Sequence, residues 1–169
     1  ILLDSVTNVN NYQKESIVSK ILTCFEGSVE GLKFGIWGLS FKPNTDDVRE
    51  APSLVVIHEL GKRNAEIIAY DPVANEEASK QIDGNVNISF SDNLFDAIRN
   101  VDALILLTEW KEFRSPDFME MTNIMRQKII FDGRNVFDPE SAAKYGFDYY
   151  GVGRTPVLGR ALKNGMEKE

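Results

Sequence analysis

Four short apolar runs recur along the chain: Lys33 to Leu39, Glu66 to Tyr70, Ala103 to Thr108 and Lys128 to Phe131. Each is followed by a segment with helical character. The helices are expected from Pro52 to Arg63, Ala74 to Gln81, Asn93 to Asn100, Ser115 to Arg126 and Pro139 to Tyr145. ALILLT, at 103 to 108, carries no charge and no alternation, which is the pattern of a strand covered on both faces. Short strands alternating with helices of eight to thirteen residues are the βαβ signature. The expected fold is therefore α/β, a Rossmann-like open parallel sheet with helices on both faces. Asn87 to Phe90 reads as a short edge strand, and Phe147 to Tyr150 as a last one. Ahead of the sheet, Tyr12 to Glu26 reads as an amphipathic helix. Ile17, Ile21 and Phe25 recur at four-residue steps beside Val18 and Leu22, and Gly27 is the expected C-cap.

The charge balance removes several functions. At pH 7 the formal net charge is −7, which argues against a nucleic-acid surface. No apolar run approaches the length of about 20 residues that spans a membrane. With a single cysteine, Cys24, no internal disulfide forms, consistent with a reducing compartment and a cytoplasmic setting. The chain opens Ile1-Leu2-Leu3, without an initiator methionine, and reads as part of a longer protein.

Ligands of an open parallel sheet bind outside the carboxyl ends of its strands. Phe41 and Lys42 follow the first strand, and Asp71 follows the second. Glu109 and Trp110 follow ALILLT, and Asp132, Gly133 and Arg134 follow the fourth run. Cations for phosphate, carboxylates for ribose hydroxyls and aromatics for a base suit a nucleotide. The first loop, GLSFKPNTDDVREAPS, lacks the three glycines of a dinucleotide fingerprint. Lys42 can replace that backbone cradle as a point charge, aided by the helix N-terminus near Pro52. Arg49, seven residues on, would face a different ligand or partner, with Asp46, Asp47 and Glu50 orienting the cations.

Each of these residues also has a plainer reading. Lys42 and Arg49 can form ordinary surface ion pairs with the neighbouring carboxylates. Asp71 before Pro72 suits a turn, and Trp110 suits packing. His58 lies mid-helix without a metal-ligand cluster, and Cys24 lies on an apolar stripe with no histidine beside it. Neither is assigned a catalytic role.

The loop GLSFKPNTDDVREAPS closely resembles the motif that opens the C-terminal domain of the nucleotide-sugar 6-dehydrogenases, the UDP-glucose/GDP-mannose dehydrogenase family. Tyr70 to Ala74, Thr108 to Phe113, Phe131 to Asn135 and Tyr150 to Arg154 continue the resemblance in order, and Asn10 and Gln13 resemble the end of that family's connecting helix. The wording PNTDDVREAPS and YDPVANEEA is most similar to the bacterial UDP-glucose branch. The resemblance implies oxidation of UDP-glucose to UDP-glucuronate with two NAD, a product that feeds polysaccharide synthesis. It implies that Phe41, Lys42 and Arg134 contact the UDP-sugar and that Arg49 reaches the NAD pyrophosphate. It also implies that the glycine-rich NAD fingerprint, the catalytic cysteine and the general base belong to a preceding domain. No residue of this chain is then catalytic, and the chain alone is expected to be inactive.

The expected organisation is residues 1–30 as the C-terminal part of a connecting and dimerisation helix, 31–155 as the UDP-binding domain and 156–169 as a tail. The apolar face of the first helix is expected to seek a second copy in a homodimer. Related alternatives are the same domain of a GDP-mannose or UDP-N-acetyl-hexosamine dehydrogenase, or a non-catalytic nucleotide-binding or assembly module. A response-regulator receiver domain shares the fold class. Its phosphoacceptor aspartate has no counterpart here, because Asp46 and Asp47 lie well past the end of the first strand.

Overall fold

A computed structural model describes residues 16–159. The expected start of the first helix at 12–15, residues 1–11 of the connecting-helix segment and most of the tail lie outside them. One sheet runs through the molecule in the order β3-β2-β1-β4-β5-β6-β7. Its strands are β1 Lys33–Trp37, β2 Glu66–Tyr70, β3 Ile88–Phe90, β4 Ala103–Leu106, β5 Ile129–Asp132, β6 Asp148–Gly151 and β7 Val157–Leu158. The first six pair in parallel, as the alternation predicts. The two-residue β7 pairs antiparallel with β6, so the sheet is mixed and its last strand lies past residue 155. Nothing in a dipeptide's periodicity announces such a strand.

The strands separate two cores by their pleat. Ala103 and Ile105 of β4 face one core, with Phe34, Ile36, Ile67, Ile129 and Phe131. Leu104 and Leu106 face the other, with Trp37, Ile130 and Tyr149. The first core is covered by α1 (described over 16–24), α2 (Pro52–Gly61) and α3 (Asn75–Gln81). The second is covered by the 3-10 turns Asp96–Ile98 and Lys111–Phe113, α4 (Phe118–Ile124) and α5 (Pro139–Lys144).

The apolar stripe of α1 lies on the chain's own sheet. Ile17, Val18 and Ile21 are buried in the first core, and the Phe25 ring meets Phe34 edge-on with centroids 5.6 Å apart. The helix ends at residue 24, two residues short of the expected end at Glu26. Glu26 takes the left-handed conformation at φ 56°, and the Gly27 N–H donates to the Leu22 carbonyl at 2.7 Å. That pairing, with Glu26 N–H to Thr23 O, is a Schellman closure in which Gly27 follows the left-handed residue.

The expected helix over 93–100 is only the turn Asp96–Ile98, capped by the Asn93 side chain accepting from the Asp96 N–H at 2.8 Å. This connection must carry the chain from edge strand β3 across β2 and β1 to β4. That is three strand spacings, about 14 Å. It also lies hard against the sheet: a Cβ on Gly35 would meet the Ala97 carbonyl at 2.6 Å. The helix α4 begins where Asp117 caps it, accepting from Glu120 N–H at 3.0 Å, but stops at Ile124. Arg126 has been drawn away, its N–H donating to Val101 O and its guanidinium to the buried Asp102. No helix among the described residues is long and apolar enough to cross a membrane.

Candidate functional site

Strand register sets the rim. Trp37 pairs with Tyr70 on one side and Leu106 on the other, Leu106 with Asp132, and Asp132 with Gly151. Five strands therefore end level, and their loops leave from one edge. Strand order reverses between β1 and β4, the position where an open α/β sheet forms its crevice.

The β1 and β4 loops are stitched together at that point. Gly38 has φ 94°, and a Cβ on it would lie 2.5 Å from Thr108 Cβ, so only glycine permits the approach. The Thr108 hydroxyl donates to the Ser40 carbonyl at 2.7 Å, and the Ser53 hydroxyl donates to the Leu39 carbonyl at 2.6 Å. Asp71 holds the same knot from β2. Its Oδ2 accepts from Leu39 N–H at 2.8 Å, from Ser40 N–H and Oγ at 3.1 Å each, and from Trp110 Nε1 at 3.1 Å. Its Oδ1 accepts from the Val73 and Ala74 N–H groups, making the turn that Asp-Pro suggests. Asp71 thus turns its own loop and also anchors the next strand's. Trp110 is buried, its indole serving the knot rather than lying open to a base.

Beyond the knot the β1 loop opens to solvent. Phe41 is exposed, its N–H donating to Asp47 O at 2.8 Å. Lys42 is exposed and forms no ion pair among the described residues. Arg49 is held along one edge by Asp47, with Nε to Oδ1 at 3.0 Å and Nη2 to Oδ2 at 2.9 Å. These hydrogen bonds, the Arg49 N–H and the nearby charges of Arg49 and Lys42 hold the Asp47 carboxyl down at about 2. Glu50 adopts φ 59°, an uncommon conformation for a non-glycine residue, just before α2 begins.

The β5 loop is rooted by Asp132, fully buried. Its Oδ2 accepts from Phe137 N–H at 2.8 Å and the Tyr149 hydroxyl at 2.9 Å, and its Oδ1 from Arg134 N–H at 3.1 Å. Burial first, and then this carboxylate, push the Tyr149 phenol far above its ordinary range. Arg134 then reaches across to the β4 loop, with Nε to Glu109 Oε2 at 2.8 Å and Nη2 to Oε1 at 2.7 Å. The fork lowers the Glu109 carboxyl against the opposing effect of burial, and the charge of Arg114 adds to the pull. Asn135 ties this loop to the next, exchanging two hydrogen bonds with the Val152 backbone at 2.8 and 2.9 Å.

Glu109, Arg114, Arg134, Asn135 and Val136 line an open cleft of about 220 Å³ between the β4 and β5 loops. Arg114 and Asn135 were not singled out from the sequence. Arg114 stands four residues past Trp110 and reaches the cleft only because the turn Lys111–Phe113 folds the chain back. Of the residues the sequence picks out, Arg134 therefore lies in a cleft with Glu109, Arg49 lies in its own loop with Asp47, and Phe41 and Lys42 stand exposed on the β1 loop. His58 is half-exposed on α2, 3.9 Å from Asp83, and Cys24 Sγ lies 3.5 Å from the Tyr150 hydroxyl. No cluster of three or more metal-ligating side chains occurs among the described residues.

Residues 35–139 match the model of the UDP-glucose/GDP-mannose dehydrogenase family, UDP binding domain. Over 156 residues the chain is 40% identical to a UDP-glucose 6-dehydrogenase of Pseudomonas aeruginosa, covering 90% of this chain and 34% of that protein. It is 37% identical over 158 residues to the UDP-glucose 6-dehydrogenase TuaD of Bacillus subtilis, covering 94% and 34%. Among solved structures, a UDP-glucose dehydrogenase from Pyrobaculum islandicum superposes with a TM-score of 0.72 at 30% identity, covering 90% of this chain and 32% of that one. A UDP-D-ManNAc dehydrogenase from Pyrococcus horikoshii superposes with a TM-score of 0.60 at 26% identity, covering 83% and 30%. The chain spans about a third of the length of these relatives.

Proposed function

The chain belongs to the UDP-glucose/GDP-mannose dehydrogenase family, and from that membership and the rim geometry we propose that it is the UDP-holding part of an NAD-dependent UDP-glucose 6-dehydrogenase. In this reading Phe41, Lys42 and Arg134 contact the UDP-sugar, and Arg49 reaches the NAD pyrophosphate. The observation that carries it is the match over residues 35–139, which contains all four of these residues.

The chemistry of the donors fits. Lys42 offers a mobile point charge with no ion pair among the described residues, suited to a phosphate. Arg49 and Arg134 each keep N–H groups beyond those given to their carboxylates. A guanidinium suits a pyrophosphate, so Arg49 fits the cofactor assigned to it. NAD, when bound, supplies the hydride acceptor, two molecules taking the four electrons removed as an alcohol becomes a carboxylate. This chain's part is to bind and orient, and by itself it is expected to bind nucleotide without turnover. UDP-glucose is preferred as substrate because, among the solved structures, a UDP-glucose dehydrogenase superposes at 30% identity and a TM-score of 0.72, against 26% and 0.60 for the UDP-D-ManNAc enzyme.

A homodimer and a cytoplasmic setting belong to the same reading. The Ile17, Val18 and Ile21 stripe is already occupied by the chain's own sheet, so a second copy would have to use other residues. Light scattering at high concentration tests the pairing.

The deciding experiment is an amide NMR titration with UDP, UDP-glucose and NAD in separate samples. UDP is expected to shift the amides of 41–42 and 133–134, and NAD to shift them little. Lys42→Ala is expected to weaken UDP binding about 10- to 100-fold, the worth of a hydrogen bond to a charged group. Unchanged affinity would remove Lys42 from the site.

A further inference from the structure

We propose that Glu109 is a positioning residue: its carboxylate grips Arg134 along the Nε–Nη2 edge and so leaves the Nη1–Nη2 edge set for an anionic oxygen of a nucleoside diphosphate in the cleft. The proposal rests on the reading that Arg134 belongs to the UDP-sugar site.

A guanidinium carries five N–H bonds in one plane. Glu109 takes two of them, at 2.8 and 2.7 Å. Nη1 makes no hydrogen bond among the described residues, and the edge it shares with Nη2 is the one that suits a second bidentate acceptor. Both ends of the grip leave fixed backbone. Behind Arg134, Gly133 N–H is bound to Leu106 O at 2.8 Å and Arg134 N–H to Asp132. On either side of Glu109, Thr108 is tied to Ser40 and Trp110 to Asp71. What remains free is the long torsional chain of the arginine, and the fork removes that freedom before the ligand arrives.

A carboxylate in an anion site would ordinarily repel the ligand. Here Arg114 lines the same cleft, so two guanidiniums face one carboxylate and the cleft keeps a net positive charge. Glu109 is lowered by both arginines, its charge already engaged by the fork. A carboxylate beside a guanidinium ordinarily competes with a phosphate for it. The edge-on geometry instead divides the guanidinium between them.

The test uses the chain with UDP as the probe, titrated by calorimetry, together with the Arg134 Nε–Hε NMR signal. That signal is expected to be slowly exchanging in the unsubstituted chain and lost in Glu109→Gln. Glu109→Gln is expected to weaken UDP binding about 2- to 10-fold, the cost of ordering one long side chain on binding. Glu109→Asp keeps the charge but loses the reach, and is expected to follow it. Arg134→Ala is expected to weaken binding about 10- to 100-fold. If either Glu109 variant binds UDP as tightly as the unsubstituted chain, or more tightly, while Arg134→Ala is weakened, Glu109 does not position Arg134 and this inference falls alone. If Arg134→Ala leaves affinity unchanged, Arg134 is not in the site and both readings fall.

Discussion

Arg49 and Arg134 are gripped by a carboxylate along the same edge, yet Asp47 lies two residues from Arg49 while Glu109 lies 25 residues from Arg134. The side chain of Arg49 is 84% exposed and that of Arg134 36%. The first pair is a property of its loop: Asp47, two residues away, also accepts the Arg49 N–H. Water screens it almost completely. The second pair exists only when β4 and β5 stand side by side in register. The same two hydrogen bonds thus describe an exposed tip in one region and a tertiary cross-link in the other. Below the tips the regions converge again, since each loop is rooted by one buried aspartate, Asp71 for the β1 loop and Asp132 for the β5 loop.

The comparison breaks most visibly at the roots. Asp71→Ala strands six donors at a buried knot, and thermal unfolding is expected to show a loss of roughly 3 kcal/mol or more. A loss well under ~1 kcal/mol would mean that water replaces the carboxylate and that the β1 loop needs no anchor. Asp132→Asn keeps the shape but offers one acceptor oxygen where the carboxylate offers two. Denaturant unfolding is expected to show about 1–3 kcal/mol lost, and Arg134 would lose its fixed root. An equal effect of the two substitutions would erase the difference between a six-donor and a three-donor anchor.

A smaller effect tests the rim between the two roots. Tyr70 donates to Glu112 at 2.9 Å, and burial first, then that carboxylate, raise its phenol to about 12. The folded chain keeps this proton where an unfolded tyrosine, ordinarily near 10, has lost it. The stabilisation is therefore complete below about pH 10 and is lost as pH rises to about 12. An absorbance titration in which all five tyrosines ionise together near their ordinary value would remove the Tyr70–Glu112 contact. The smallest effect is expected from Arg49→Ala, which should leave the thermal midpoint where it was. A clear drop would show that the exposed fork supports the β1 loop after all, and would make the two arginines alike.

Much of the rim was legible because it follows from order along the chain. Residues just past each apolar run must emerge at one edge of a parallel sheet, so Lys42, Glu109 and Arg134 could be placed there without coordinates. What they touch was not legible. Glu109 stood next to Trp110 in the sequence, yet one turns outward to Arg134 and the other inward to Asp71. No local signal marks Arg114, because its place in the cleft depends on a single 3-10 turn. The missing helix over 93–100 shows the same limit from the other side. Its local pattern is helical enough, but the segment lies hard against β1 at Gly35, and a propensity worth only tenths of a kcal/mol per residue does not decide its form there.

The sequence by itself determined that the chain forms a mostly parallel α/β sheet, where its six parallel strands lie and which loops meet at the carboxyl rim. Apolar periodicity and capping residues are local signals that survive without knowledge of neighbours. Only the tertiary structure decided that the first helix spends its apolar stripe on its own sheet, that Asp71 anchors a strand other than its own, and that Arg134 rather than Arg49 is cross-linked. Those outcomes depend on which strands become neighbours and at what level they end, and register is set by the summed packing of two cores rather than by any one stretch of residues.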